Sequence, residues 1–121
     1  MKQTTLNPDV EMIPSDFDTA RREFEKYVNQ LPETLSDLKQ SLNTRDIFSF
    51  KQLIHKLIPQ GKAVGLADLT GRLSDLDAKC MTAKELVLYE IEIQDILNEI
   101  KISGESTGRI LDALRAFTNS N

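Results

Sequence analysis

The chain has 121 residues and a net charge of −4, a length that suits one domain able to bury a core without metal or disulfide staples. Its acidic balance, with a pI near 5.0, argues against nucleic-acid binding, which needs a basic face. One cysteine excludes an internal disulfide and fits a reducing compartment. No apolar run approaches the ~20 residues of a membrane span, and the start MKQTTLNPDVEM lacks the apolar centre of a secretory signal. A cytoplasmic protein, or a cytoplasmic piece of a longer one, is expected, without membrane insertion.

Residues 1–14 are polar and hold Pro8 and Pro14, which predicts an N-terminal arm, loose or with one short helix. A first long helix is expected from Ser15 or Asp16, either of which can cap it. Its apolar positions are Phe17, Phe24, Leu31 and Leu38, interleaved with Val28, Leu35 and Leu42, and together they make one stripe. Pro32 removes a backbone donor, but the stripe keeps its phase across it, so a kink is expected there rather than a break. This helix should end near Asn43.

A second helix is expected to begin at Thr44 to Asp46, with a stripe through Ile47, Phe50, Ile54, Leu57 and Val64, and Gly65 as its terminator. A third carries Leu66, Leu69, Leu73, Leu76 and Cys80. Thr82 and Glu85 have capping-box spacing and mark the next start. The last helical segment holds Leu86, Ile93, Ile96, Leu97 and Ile100. The alternation around Tyr89–Ile93 is set aside as a strand signal because helical spacing runs through it. A break at Ser103-Gly104, before the Ile110, Leu111, Leu114 and Phe117 pattern, is left open. Amphipathic helices joined by short turns bury their stripes against each other. The expectation is an all-α, up-down-up-down four-helix bundle over 15–118, with a tail at 119–121. A monomer is expected.

Sequence motifs for chemistry are sparse. There is no Gly-rich phosphate loop, no CxxC and no HExxH. A single histidine rules out a metal site built from histidines, and no cofactor is expected in this chain. Cys80 falls on the apolar stripe of its helix and reads as a small core residue. His55 follows the seam residue Ile54, about 100° around the helix and so on the edge of the buried stripe. Its neighbours on that edge are Phe48, Lys51, Gln52, Ile58, Pro59 and Lys62. Histidine changes charge near neutral pH, and its neutral form carries a lone pair that can attack phosphorus. Lys51 and Lys62 are placed to attract a phosphoryl group or an acidic partner. Pro59 cannot donate to the His55 carbonyl and should bend the helix beside it. Taken alone, this pattern also fits an ordinary solvated histidine.

Phe48 to Leu66 reads FSFKQLIHKLIPQGKAVGL, and the chain upstream reads FEKYVNQLPETLSDLKQSLNTRD. The first segment resembles the active segment of histidine-containing phosphotransfer (HPt) domains of bacterial phosphorelays. Ile54-His55-Lys56-Leu57 matches the family's start and Gly65 its later glycine. The upstream segment resembles the family's preceding helix, including the Leu31-Pro32 step. The likeness covers residues 17–80; the remaining tail agrees in length and pattern. Many members carry Lys three residues after the histidine and Gly four after, where this chain has Ile58 and Pro59. Lys62, on the same face, is the candidate for the missing charge.

The resemblance implies a phosphocarrier rather than an enzyme. A response-regulator receiver domain, phosphorylated on Asp, docks over the first two helices. Nε2 of neutral His55 attacks phosphorus, and the group passes to a second receiver. Mg²⁺ belongs to the receiver. Phe48 and Ile58 supply docking area, Lys51, Lys56 and Lys62 steer, and Gln52, Pro59 and Gly65 complete the supporting face. The chain fits equally the terminal relay module of a hybrid sensor histidine kinase. The rival reading is a helical-bundle adaptor that binds a signalling partner without phosphorylation.

Overall fold

Helical periodicity along the chain becomes five α-helices, with no strand among the described residues. The computed structural model describes residues 9–119, and side chains from 17 to 117. The helices are α1 (Asp9–Asn43), α2 (Ile47–Ala63), α3 (Ala67–Lys79), α4 (Ala83–Leu88) and α5 (Glu90–Asn119). α1 packs on α2 and α5, α2 on α3, α3 on α5, and α4 on α5. No described helix is long and apolar enough to cross a membrane.

α1 starts earlier than its sequence suggests. Helix begins at Asp9 rather than at Ser15 or Asp16, so 9–14 belong to α1 and not to an arm. Pro14 explains why this is tolerated: it withholds a single ladder bond, to the Val10 carbonyl, close to the helix start. Residues 1–8 of the expected arm, and the side chains of Ser15 and Asp16, lie outside the described residues. α1 continues through Pro32 without a break, in keeping with the in-phase stripe, and ends at Asn43 as expected. At the other end the helix takes in Asn119, the first residue of the expected tail, and 120–121 lie outside the described residues.

The core face of α1 is rotated from the apolar stripe. Its most buried positions are Tyr27, Leu31, Thr34, Leu38 and Ser41, whereas Phe24, Leu35 and Leu42 are only half-buried. Spacings of four and three residues join these five into one seam. Counting apolar residues missed the two polar members because each hides its hydroxyl in its own helix. Thr34 Oγ1 donates to the Gln30 carbonyl at 3.0 Å, and Ser41 Oγ donates to the Leu38 carbonyl at 2.7 Å. Tyr27 Oη and Ser103 Oγ share a buried hydrogen bond of 2.7 Å across α1 and α5, which satisfies a phenol that burial would otherwise penalise. The stripes of α2 and α3 follow expectation, with Phe50, Ile54, Leu57, Leu69, Leu73, Leu76 and Cys80 all buried.

Two turns end in the same way. After α2, the Leu66 N–H reaches back to the Gly61 carbonyl and the Gly65 N–H to the Lys62 carbonyl, around Gly65 at φ 81°. That is a Schellman ending with its usual glycine. After α1, Asp46 N–H bonds the Ser41 carbonyl and Arg45 N–H the Leu42 carbonyl, but here Arg45 takes the left-handed position at φ 55°. Asp46 then caps α2, its carboxylate accepting from the Ser49 N–H at 3.1 Å.

The last segment divides at Tyr89, not at Ser103-Gly104. The capping box opens α4 as its spacing predicts, with the Thr82 N–H donating to Glu85 Oε1 at 2.7 Å. α5 then passes unbroken through Gly104, because that glycine serves packing rather than a turn. A Cβ there would stand 2.5 Å from Leu31 Cδ2, so its absence lets α1 and α5 approach closely.

Candidate functional site

His55 stands on α2 one residue past the buried Ile54, and its side chain is 59% exposed. Its Nε2 lies 2.9 Å from Oδ2 of Asp77 on α3. Asp77 has the same relation to its own helix, one residue past the buried Leu76. Where two helices pack side by side, residues just off each seam face each other across the contact. The Asp77 side chain is 24% exposed.

Lys51 completes the cluster from below. Its Nζ lies 2.9 Å from Asp77 Oδ1 and donates to the main-chain carbonyls of Asp77 at 2.6 Å and Cys80 at 3.1 Å. These carbonyls belong to the end of α3, where acceptors lack intrahelical donors. The natural donor to the Asp77 carbonyl, the Met81 N–H, turns instead to Glu85 Oε1. A lysine at a helix C-terminus also meets the negative end of the helix dipole.

Burial works against the charge on Asp77, but the hydrogen bond from Lys51, then that from His55, together with their positive charges, outweighs it. The carboxyl is thus held below its usual range. An ionised carboxylate only accepts hydrogen bonds, so the proton in the His55–Asp77 bond resides on Nε2.

The remaining expected residues divide between two flanks and the far end of α2. Phe48 lies two turns before His55 on the same face and is 69% exposed. Pro59 and Lys62 are exposed beyond it, and α2 runs unbroken through Pro59 to Ala63. Gln52 and Lys56 are exposed on the opposite flank, lining a groove with Asp37, Gln40 and Asp46 beside the α1–α2 turn. Gly65 serves the helix ending and lines a separate hollow with Leu66, Asp68 and Glu99.

Two of the expected residues stand apart from the rest. Lys51 is tied to α3, donating to the Asp77 and Cys80 carbonyls and ion-paired with the Asp77 carboxylate. Ile58 is half-buried and packs on the core rather than standing out as docking surface. Asp77 was missed, although the pattern held a signal for it: Leu76-Asp77 repeats the Ile54-His55 relation of a seam residue followed by a polar flank. Among the described residues, no group of three or more His, Cys, Asp or Glu side chains is gathered to hold a metal ion. Cys80 is buried, and that burial raises its thiol pKa.

Comparisons with protein-family models, curated proteins and solved structures gave no match.

Proposed function

We propose that this chain is a phosphocarrier of the HPt type, taking a phosphoryl group from a receiver-domain aspartate onto His55 and passing it to another receiver. The observation that carries this reading is the single histidine of the chain, exposed on a helix face with Phe48, Pro59 and Lys62 around it. An exposed imidazole suits attack on a group presented by another protein. The exposed Phe48 suits the apolar centre of a docking patch, and Lys56 and Lys62 suit attraction to an acidic partner pocket. Packing of α1, α2, α3 and α5 around a shared core supports an up-down-up-down four-helix bundle, with α4 as a short lead-in to the last helix. In this reading the protein acts in the cytoplasm as a monomer, without nucleic acid. Mg²⁺ and most catalytic groups belong to the receiver, so the chain's own part is positioning. A place at the end of a hybrid sensor kinase fits the same chemistry.

The second reading, an adaptor that binds a signalling partner without phosphorylation, draws on the His55–Asp77 bond. A carboxylate beside the imidazole disfavours phosphate oxygens arriving at Nε2.

The deciding experiment incubates the protein with phosphorylated receivers and seeks acid-labile, base-stable phosphate on it. Label on the wild type and none on His55→Gln supports the carrier. No transfer from several receivers sinks it, and equal labelling of His55→Gln moves the site elsewhere.

A further inference from the structure

We propose that the open groove formed by α4 and the start of α5 is a docking surface for a partner protein that presents a basic amphipathic helix. The groove lies on the α5 side of α3, where Arg72 meets Asp95, and away from the α2–α3 contact that holds His55. Its role goes beyond the phosphocarrier reading and does not rest on it.

Neither helix needs, for its own packing, the apolar side chains that line this groove. α4 has six residues and buries only Leu86, so Val87 and Leu88 turn outward, Leu88 at 66% exposure. α5 packs through the buried Ile93, Ile96, Leu97 and Ile100, and Ile91 falls on the other side of the helix at 88% exposure. Apolar residues exposed singly are ordinary, but these three line one groove of about 880 Å³ together with Tyr89, and contiguous apolar surface marks contact with another molecule. The groove is open to solvent rather than enclosed, so it cannot bury most of a small ligand as a ligand pocket does. No strand is present among the described residues, so an extended peptide finds no sheet edge to join. A groove of this kind takes the apolar face of another helix.

The rim sets the charge of that helix. Three carboxylates, those of Glu90, Glu92 and Asp95, line the groove against one cation, Arg72. Arg72 is already taken by Asp95 and Glu99, and Lys79 by Glu92. Lys84 on α4 is balanced by its neighbour Glu85. Glu90 makes no ion pair among the described residues, although Arg45 shares the neighbouring hollow with it. An apolar floor with an acidic rim favours a helix whose apolar face is flanked by Lys and Arg. The same rim disfavours other occupants. Two copies of this chain joined through the groove would set like charges against each other, and an anionic membrane surface would be repelled.

The test titrates the full chain, labelled with ¹⁵N, with two synthetic peptides. One is a two-heptad helix of leucine and lysine with its leucines on one face; the other has glutamate in place of every lysine. The lysine peptide should shift amide signals over residues 87–95 and leave those around His55 in place. The glutamate peptide should bind more weakly by about tenfold or more, since its charges face the acidic rim. Ile91→Ser keeps the charge and removes an apolar group from the groove, on a side chain too exposed for the fold to depend on it. It should weaken binding of the lysine peptide about tenfold, the scale of one central contact. No binding of the lysine peptide, equal binding of the two peptides, shifts centred on another face, or an unchanged affinity in Ile91→Ser overturns the proposal. Self-association of the chain that Ile91→Ser abolishes would give the groove to a second copy and overturn it likewise.

Discussion

Replacing Lys51 by methionine removes one ammonium group and keeps most of the aliphatic stem, so it isolates the polar end of the clamp between α2 and α3. That group meets three acceptors: Asp77 Oδ1 and the carbonyls of Asp77 and Cys80. The two carbonyls accept hydrogen bonds and the carboxylate contact is an ion pair; hydrogen bonds to a charged group contribute about 1.5–3 kcal/mol each in net terms, so the pair of them sets a ceiling of about 6 kcal/mol. The side chain is 25% exposed, which lets water replace part of what is lost and screens the pair. Against that, Asp77 keeps its charge with one partner fewer, which adds a penalty. The expected loss is about 2 kcal/mol, or a fall in Tm of roughly 6–10 °C for a domain of this size. Urea and thermal unfolding followed by circular dichroism measure it, and a double-mutant cycle with Asp77→Ala isolates the pair. Coupling of about 1 kcal/mol is expected, since the two side chains touch. A loss below about 0.5 kcal/mol, the usual size for a surface substitution, would refute the clamp.

Three further outcomes are expected. The folded-state pKa of Asp77 lies below its unfolded value, so its contribution to stability is present above the unfolded pKa of about 3.9 and is lost as pH falls through the folded value. Asp77→Asn should therefore flatten the acid limb of a stability-against-pH curve, and an unchanged slope would show that the carboxylate is not preferentially ionised in the fold. Arg45→Gly should stabilise the chain by about 0.5–1 kcal/mol in urea melts, because a side chain at φ 55° is strained where glycine is not; destabilisation would mean that the arginine makes up for its conformation elsewhere. Gly104→Ala should destabilise by about 1 kcal/mol despite its better helix propensity, since its Cβ would meet Leu31 Cδ2 at 2.5 Å; Gly71→Ala, where nothing lies within 4 Å, should raise stability instead.

Much of the helical layout could be read from residue spacing. The stripes of α2 and α3 predicted their buried faces, and Thr82 with Glu85 predicted the start of α4. Those signals are local: a cap and a periodic stripe each need only a few neighbouring residues. Three features were hidden because they depend on other helices. Thr34 and Ser41 count as polar until their hydroxyls are seen bonded within α1. Gly104 looks like a helix breaker until Leu31 fills the space beside it. Lys51 looks like an open charge until the carbonyls of α3 take its donors. The site shows the same division. Spacing set His55 on a rim, but only the pairing of α2 with α3 brought Asp77 to it, from a position 22 residues along the chain.

Pro59 gives the site an uneven stiffness. One turn before His55, α2 is pinned to α3 through Lys51. One turn after it, the ladder bond to the His55 carbonyl is missing, because proline has no N–H to give. Beyond that gap the end of α2 is seated again, with Gly61 and Val64 buried and Gly61 pressed too close to Thr70 to carry a Cβ. The missing rung thus lies between two anchored stretches of helix, and it leaves the backbone carbonyl of His55 without its helical donor while the imidazole keeps its place against Asp77.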